Sequence, residues 1–427
     1  NLENLTVWHL LTMTAGKLPS PMADKGKNRW VADYAESKWQ YAPGEGWNYC
    51  NENIYILCVI LHRLCGESVT DYLMPRLFAP LDIPRPFWET DGNGIESGGW
   101  GLYLTTESFA KLMLCYQQGG VYKGQQVLPA GWVEEATRSH AQNSGSDAHS
   151  HAGYGYCFWR NSYPGSYRAD GVFSQLGLVF PEQEAVVITT AGEISADKTL
   201  DCLMRHLPGI FLEEGEAAQP LPAPEALRLP ALPELYKTPR STALERQLEG
   251  KMIEFNQAPQ MVPQMLGYPV SVLPLAVFFM SADKAGNINH VRFRFQEDTL
   301  KFSWSEGAER NTVLCGMDGK ARKCAICLGG IQFTVACSAA WEGGSRLHLW
   351  IRPLESVAQR RMTFTFRGNL VRMLPRSAPS MATVGEYISR FVSTMVPNPA
   401  IATLMNNTMS KIAIVAEPLH FGVIKEN

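Results

Sequence analysis

The triplet Tyr49-Cys50-Asn51 stands in a turn rich in Gly and Pro, just before an apolar run that ends at Gly66. A tyrosine phenol near cationic groups can relay a proton, and an asparagine amide can hold a carbonyl oxygen or an amine. Taken alone, the same two side chains would more commonly close a loop and cap a helix. The triplet therefore suggests a proton relay and a carbonyl clamp only if other segments supply the rest of a site.

A helix has to hold this turn in place. From Asn51 or Glu52 to Cys65, apolar side chains recur at the spacing of one wide helical face, and Gly66 supplies a stop. Helices are also predicted from Thr105 or Thr106 to Gly119, from Ala130 to Arg138, and from Lys198 to His206. The strand-like runs are Gly171–Phe180 and Gln183–Gly192. Central helices, paired strands and a closing helix predict a layered α/β or α+β domain.

Composition limits the classes of partner. The chain has 427 residues, of which 45% are hydrophobic and 19% charged, so two domains are expected. A net charge of -3 gives no electrostatic reason to expect nucleic acid or an anionic membrane. The apolar run Val270–Met280 is too short to cross a bilayer and contains Pro274, so no membrane segment is predicted. A small-molecule or peptide substrate is the simpler expectation.

Proline marks the expected domain boundary. Residues 213–240 hold six prolines, a composition that favours an extended linker, so the first domain is placed at 1–212 and the second at 241–427. From 241 to about 375, short segments alternate between apolar and polar residues, which predicts a mostly antiparallel β-domain. The tail from Ala382 onward has helical spacing.

Several blocks of the first domain share their motifs and order with one enzyme family. The blocks are TVWHLLTMTAGKL, APGEGWNYCNENIYILCVILHRLCG, GGWGLYLTTESFAKLMLCYQQGG, YGYCFWR and YRADGVFSQLGLVFPEQEAVVITT. Together they resemble the penicillin-binding-protein and class C β-lactamase family of serine hydrolases, including its esterase and peptidase branches. The resemblance covers roughly residues 5 to 210. It implies a β-lactamase/transpeptidase-like α/β fold and acyl-enzyme chemistry on an ester, amide or peptide substrate.

The resemblance assigns roles to named residues. The family uses S-x-x-K, Tyr-x-Asn and a Lys-Thr-Gly or His-x-Gly motif, and Tyr49-Cys50-Asn51 matches the second of these. The third falls on Ala169-Asp170-Gly171, where Ala169 replaces the family's cation. The resemblance implies catalytic roles for Tyr49, Asn51 and the amide of Val172, and substrate-binding roles for Asp170, Gly171, Tyr156 and Trp159. Alternatively, Ala169–Gly171 is only a turn leading into a strand.

The nucleophile motif is expected upstream of this numbering. The family places S-x-x-K some tens of residues before the block at Thr6, so this domain is expected to be incomplete at its N-terminus. An N-terminal segment carried on a separate chain is then one possible partner. The alternative is a catalytically inactive binding protein. Three other Ser-x-x-Lys pairs, Ser108–Lys111, Ser195–Lys198 and Ser281–Lys284, are interpreted as surface or capping serines.

Two clusters allow a weaker metal hypothesis. Cys315, Cys324, Cys327 and Cys337 could form a zinc site, although small apolar cysteines in strands are the preferred interpretation. His140, Asp147, His149 and His151 could ligate a metal or line a cleft, although a solvated loop is preferred. We therefore predict no metal and no cofactor.

Cysteine usage bears on the compartment. The ten cysteines lie mostly in apolar segments, which favours free thiols and a cytoplasmic location. An export signal upstream of this sequence stays open.

Overall fold

The computed structural model describes residues 2–18, 29–143, 149, 151–193, 195–211, 238–255, 272, 287–380, 383, 417 and 419–426. Two compact units are distinguished, Asn1–Pro220 and Leu221–Asn427. Most of the predicted linker at 213–240 and the predicted helical stretch after Ala382 lie outside the described residues. The first unit combines helices with sheets, and the second is mainly antiparallel sheet, which is the predicted fold class.

Helices supply most of the regular structure in the described part of the first unit. They are α1 (Val7–Leu11), α2 (Trp30–Glu36), α3 (Glu52–Cys65), α4 (Val69–Leu73), α5 (Thr106–Gln117), α6 (Trp132–Thr137) and α7 (Ala196–His206). Shorter helical turns are Leu2–Asn4 and Leu207–Ile210, both 3-10, and Met74–Phe78, which is π-helical. Among the described residues, no helix has both the length and the apolar composition of a membrane span.

Helix α3 carries the predicted motif at its start. It buries Tyr55, Cys58 and Val59, which share one face at helical spacing, and its contact partners include helix α1. It ends where Gly66 takes a left-handed conformation with φ of 71°, a geometry that glycine adopts without steric cost. Both predicted ends of this helix are confirmed.

Four antiparallel strands form the main sheet of the first unit. They are β5 (Trp159–Arg160), β6 (Tyr167–Gly171), β7 (Gln175–Phe180) and β8 (Ala185–Thr189), in the order β5-β6-β7-β8. Two small pairs precede them, β1 (Phe87–Trp88) with β2 (Leu102–Tyr103), and β3 (Val121–Tyr122) with β4 (Gln125–Gln126). The sheet places the third motif, Ala169–Gly171, at the end of β6.

The predicted strand 171–180 is broken near its start. Gly171 pairs with Gln175, so residues 172–174 form the turn of the β6–β7 hairpin. Phe173 and Ser174 both have positive φ angles, a conformation that ordinary L residues seldom adopt. The run GVFSQLGLVF contains no residue at 173 or 174 that signals such a turn, so hydrophobic pattern alone predicted one continuous strand. The alternative of a turn at Ala169–Gly171 is wrong, because these residues end a strand.

Helices cover both faces of this sheet. On one face, Tyr167 and Val179 pack with Met113 of α5. On the other, Leu176 and Leu178 pack with Leu200 of α7. Because adjacent residues of β6 alternate between the two faces, Ala169 packs on the α5 side while Arg168 and Asp170 lie on the opposite side.

The second unit is built around one ten-stranded sheet. After α8 (Thr242–Leu248) come β9 (Met252–Phe255), β10 (Ile288–Phe295), β11 (Thr299–Glu306), β12 (Glu309–Gly316), β13 (Arg322–Leu328), β14 (Ile331–Glu342), β15 (Arg346–Pro353), β16 (Gln359–Arg367), β17 (Leu370–Ala378) and β18 (His420–Ile424). Neighbouring strands in the sheet are antiparallel, and β18 pairs with both β17 and β9. Strand β18 therefore lies inside the sheet, between β17 and β9.

This sheet curls so that its two margins meet. Gly316 of β12, the first strand in this order, pairs in parallel with Ser338 of β14, the last strand but one. Alternate side chains of every strand then face a common interior, and they form a single apolar cluster that includes Phe293, Phe302 and Phe364. The interior is filled by side chains.

Candidate functional site

The Tyr-x-Asn turn directs two half-exposed side chains away from the core. Asn51 occupies the N-cap position of α3 but has helical φ and ψ angles, and its side chain makes no capping hydrogen bond. The interpretation of Asn51 as a helix-capping side chain is therefore wrong. Its amide is available for another role, which fits the predicted carbonyl clamp.

Residues adjacent to Tyr49 and Asn51 in sequence anchor this turn in the core. Cys50 is buried, its Sγ lies 3.4 Å from Oε2 of Glu52, and burial raises the pKa of its thiol. Asn53 accepts a 2.8 Å hydrogen bond from the hydroxyl of Tyr34. Residues 50, 52 and 53 thus point inward, which leaves Tyr49 and Asn51 on the accessible side.

Two glycines let a loop pack directly on the start of α3. A Cβ added to Gly99 would stand 2.6 Å from the carbonyl oxygen of Asn51, and one added to Gly98 would stand 2.7 Å from that of Ile54. Side chains at 98 and 99 would force the loop outward. The loop therefore fixes the backbone that carries Asn51.

Tyr49 belongs to a group of four rings, here called the aromatic cluster, formed by Trp47, Tyr49, Tyr154 and Trp159. The ring of Tyr49 lies 5.4 Å from that of Trp159, and Tyr154 lies 5.2 Å from Trp159. These spacings are typical of favourable aromatic contacts. The cluster joins the predicted residues Tyr49 and Trp159, which are far apart in sequence.

The strand of the third motif reaches the aromatic cluster through an arginine. Arg168 is 2% exposed, and its guanidinium lies 5.4 Å from the ring of Trp159. Its Nε donates a 2.8 Å hydrogen bond to Oδ2 of Asp170. The second and third motifs, predicted from separate segments, are therefore linked through the Trp159 ring.

Asp170 is a paired carboxylate. Arg168 also donates to Oδ1 of Asn161 at 3.0 Å and to two backbone carbonyls, so its charge is held inside the sheet. The paired charges offset one another, and Ala169, where the family has a cation, faces the other side of the sheet. The end of β6 therefore carries an ion pair with no net charge.

Gly171 and Val172 lie where β6 turns into β7. Val172 is 53% exposed, and the turn that follows it is left-handed at both Phe173 and Ser174. A Cβ on Gly171 would come within 3.0 Å of the Cβ of Gln175. The absence of that atom lets Gln175 of β7 approach the end of β6 closely.

Tyr156 lies outside the aromatic cluster. Its ring stacks on His140 at 4.2 Å, and its hydroxyl donates a 2.9 Å hydrogen bond to Oε1 of Glu135. Hydrogen bonds from Arg138 and then from Tyr156 lower the pKa of Glu135 to about 2. The described contacts of Tyr156 therefore tie it to α6, and the structure does not bring it together with Tyr49.

Two of the three Ser-x-x-Lys pairs, Ser108–Lys111 and Ser195–Lys198, lie among the described residues. Ser108 is buried and accepts a hydrogen bond from the hydroxyl of Thr105, while Lys111 donates to the carbonyl of Asp82. Ser195 occupies the N-cap of α7, and Lys198 is exposed. Ser281 and Lys284 lie outside the described residues.

The histidines of the predicted His140–His151 cluster have different contact partners. His149 is buried, with its Nε2 3.0 Å from Oδ1 of Asp201 and its Nδ1 3.3 Å from the hydroxyl of Ser162. This Ser–His–Asp contact was not predicted, because Ser162 and Asp201 lie on segments remote from His149 in sequence. His140 packs on Tyr156, and Asp147 lies outside the described residues.

The cysteines of the second unit do not converge. Cys315 and Cys337 are in contact inside the sheet, whereas Cys327 is exposed on the opposite face of β13 from Cys324. The zinc hypothesis fails on this geometry. In the part of the chain that the structure describes, no three His, Cys, Asp or Glu side chains could hold a metal ion together, and all ten cysteines are free.

Comparison with known proteins finds one family model and one curated relative that match part of this chain. Residues 2–194 match the sequence model described as Beta-lactamase. A 6-aminohexanoate-dimer hydrolase from Paenarthrobacter ureafaciens is 29% identical over 100 residues, which is 23% of this chain and 26% of that relative. The match thus spans about a quarter of the relative's own length.

Two solved structures show similarity at low sequence identity. A penicillin-binding protein from Bacillus halodurans is 16% identical, with 48% of this chain and 74% of that chain covered and a TM-score of 0.38. An octameric penicillin-binding protein homologue from Pyrococcus abyssi is 15% identical, with 86% and 76% covered and a TM-score of 0.36.

The family match covers the segments from which the resemblance was recognised, including the Tyr49-x-Asn51 turn and the β6–β7 hairpin. The first unit therefore resembles the β-lactamase family over residues 2–194, which make up most of its length.

Proposed function

We propose that the first unit forms part of the active site of a serine hydrolase that cleaves an ester, amide or peptide bond through an acyl-enzyme. The observation that carries the proposal is the link between the two motifs. Tyr49 contacts Trp159, and Trp159 contacts Arg168 of the strand that ends at Gly171. These contacts support the proposal, because the family chemistry requires the two motifs to face one substrate.

The proposed nucleophile is a serine of an S-x-x-K segment upstream of this numbering. Its Oγ attacks the substrate carbonyl carbon and gives up its proton, while the carbonyl oxygen becomes an oxyanion that accepts from two backbone amides, one of them that of Val172. Tyr49 relays the serine proton to the leaving group, and Asn51 donates to the substrate carbonyl. Collapse of the oxyanion then breaks the bond between the carbonyl carbon and the protonated leaving group, which departs. Water then hydrolyses the acyl-enzyme and restores the serine.

The proposed substrate carries no carboxylate at the third motif. Ala169 provides no cation, and the charge of Arg168 is already paired with Asp170. A neutral ester or amide is therefore favoured over a β-lactam or a peptide ending in a free carboxylate. One relative is named as a 6-aminohexanoate-dimer hydrolase. That dimer is an amide that ends in a free carboxylate, so it is the contrasting substrate to assay, and we expect it to turn over more slowly than a neutral ester or amide.

Labelling of the full-length protein with a fluorophosphonate probe tests this function, because the probe forms a covalent adduct only with activated serines. We expect one adduct, which peptide mass spectrometry should locate on a serine of an upstream S-x-x-K. The Ser162→Ala variant is the matched control, since Ser162 contacts His149 at the surface. An adduct on Ser162 would show that Ser162, and not an upstream serine, is the nucleophile. The absence of any serine adduct on folded protein would support an inactive binding protein instead.

The free cysteines support a cytoplasmic location as part of this proposal, since thiols persist in a reducing compartment. Measurement of the protein in separated cell fractions tests it. Recovery from an extracellular or periplasmic fraction would contradict it.

A further inference from the structure

The turn that follows β6 is strained at two adjacent residues. Phe173 has a φ angle of 66° and Ser174 one of 67°, although neither is glycine, asparagine or aspartate. Side chains with a Cβ are disfavoured in this left-handed region, and such residues persist where the surroundings hold them. The strained pair directly follows Val172, whose amide is assigned to the oxyanion.

Contacts to Ser174 hold one side of the turn. Its side chain is fully buried, and its hydroxyl lies 2.9 Å from Oγ1 of Thr199 on helix α7. The same hydroxyl lies 3.4 Å from the carbonyl oxygen of Glu193. In addition, Thr189 at the end of β8 donates a 2.8 Å hydrogen bond to the carbonyl of Ser174. The residue is thus tied to the helix and to the neighbouring strand.

Gln175 holds the other side. Its Nε2 donates to the carbonyl of Phe173 at 3.2 Å and to that of Ala191 at 2.6 Å. Its Oε1 accepts from the backbone N–H of Ala191 at 3.3 Å. One amide side chain therefore connects the strained turn to the segment that follows β8.

We propose that Ser174, Gln175 and Thr199 are positioning residues that hold the left-handed turn and thereby fix the amide of Val172 toward the reacting carbonyl. This inference rests on the proposed function. An oxyanion donor acts only if its direction is fixed before charge develops, and loss of one such donor reduces kcat by about 10² to 10³-fold. A loosened turn should weaken the stabilisation of the oxyanion by the Val172 amide, so kcat should fall while KM stays nearly constant.

A matched pair at Ser174 tests the inference in the full-length enzyme with a chromogenic ester. Ser174→Ala loses the hydroxyl and keeps the strain of a Cβ, so kcat should fall by about 10-fold with little change in KM. Ser174→Gly also loses the hydroxyl but adopts a positive φ freely, so it should retain several-fold more kcat than the alanine variant. Equal kcat in the two variants, or a change in KM alone, would overturn the proposal.

Thr199→Val gives a second test from a different element. Valine keeps the shape of threonine but cannot bond to Ser174, so kcat should fall by about 5-fold, and amide hydrogen exchange across residues 172–174 should become faster. Unchanged exchange and unchanged kcat together would refute the role of Thr199.

The two proposals fail in different ways. If the unaltered full-length protein forms an acyl-enzyme while the three variants keep full kcat, only the positioning role is wrong. If no acyl-enzyme forms, the proposed function is wrong, and so is the proposed catalytic role of the turn.

Discussion

The sheet of the first unit and the sheet of the second unit differ in what their side chains do. Near the end of β6, the four-stranded sheet places a buried ion pair, Arg168 with Asp170, and a turn with two left-handed residues. The ten-stranded sheet instead fills its interior with one apolar cluster, and its buried Arg360 is paired with Glu417 at 3.2 Å. The two adjacent left-handed residues and the half-exposed Tyr49 and Asn51 lie where chemistry is proposed, whereas the second sheet encloses a filled apolar interior.

The largest expected effect is a loss of turnover when Tyr49 is substituted. Tyr49→Phe keeps the ring contact with Trp159 and removes the hydroxyl, so turnover of a chromogenic ester by the full-length protein should fall by about 10²- to 10⁴-fold. The unfolding midpoint should stay the same. A rate within twofold of the unaltered protein would remove Tyr49 from the mechanism.

In the second unit, a core substitution should act on stability instead. Phe364 is buried against Phe293 and Phe302, so Phe364→Ala should lower the free energy of unfolding by about 3–5 kcal/mol in a denaturant titration. Leu354 is exposed, and Leu354→Ala should change that free energy by less than about 0.5 kcal/mol. Similar losses for both variants would contradict the account of a filled interior.

The pH dependence of the second unit gives an intermediate effect. Burial lowers the pKa of His420 to about 4, below its unfolded value, so the unfolded chain binds more protons as the pH falls from 6.5 toward 4. Stability should therefore drop by roughly 2–3 kcal/mol over that range and level off below it. His420→Asn should flatten this part of the profile measured by denaturant titration. A slope that persists in the variant would assign the effect to another group.

The smallest expected effect is the difference in stability between substitutions at the N-caps of α5 and α3. The hydroxyl of Thr105 accepts from the backbone N–H of Ser108, whereas Asn51 makes no side-chain capping bond. Thr105→Ala should therefore lower the free energy of unfolding by about 1 kcal/mol, and Asn51→Ala by clearly less. Asn51→Ala should instead lower kcat/KM. The reverse order of stabilities would show that Asn51 is a structural cap.

Helices and strands with strong periodicity could be predicted from the sequence. The range 52–65 was predicted because its apolar residues follow one helical face and Gly66 ends it. The β10–β11 and β16–β17 hairpins followed from period-two patterns and, for the latter, from the turn at Gly368. The break at 172–174 was not predicted, because its left-handed residues lack the usual turn chemistry.

The candidate site could be predicted only in part. Tyr49, Asn51 and Val172 followed from the motifs, and Trp159 from the aromatic strand. Arg168 and Thr199 were missed, since their roles come from pairing between strands and from a helix that is remote in sequence. The catalytic roles of Tyr49, Asn51 and Val172 stay predictions.

The structure of the full-length protein carrying a phosphonyl adduct tests the central claim most directly. The adduct mimics the tetrahedral intermediate, so the account predicts its phosphonyl oxygen within about 3 Å of the Val172 nitrogen, with the Tyr49 hydroxyl within hydrogen-bond reach of the labelled serine. A phosphonyl oxygen that points away from Val172, on a serine remote from Tyr49, would contradict it.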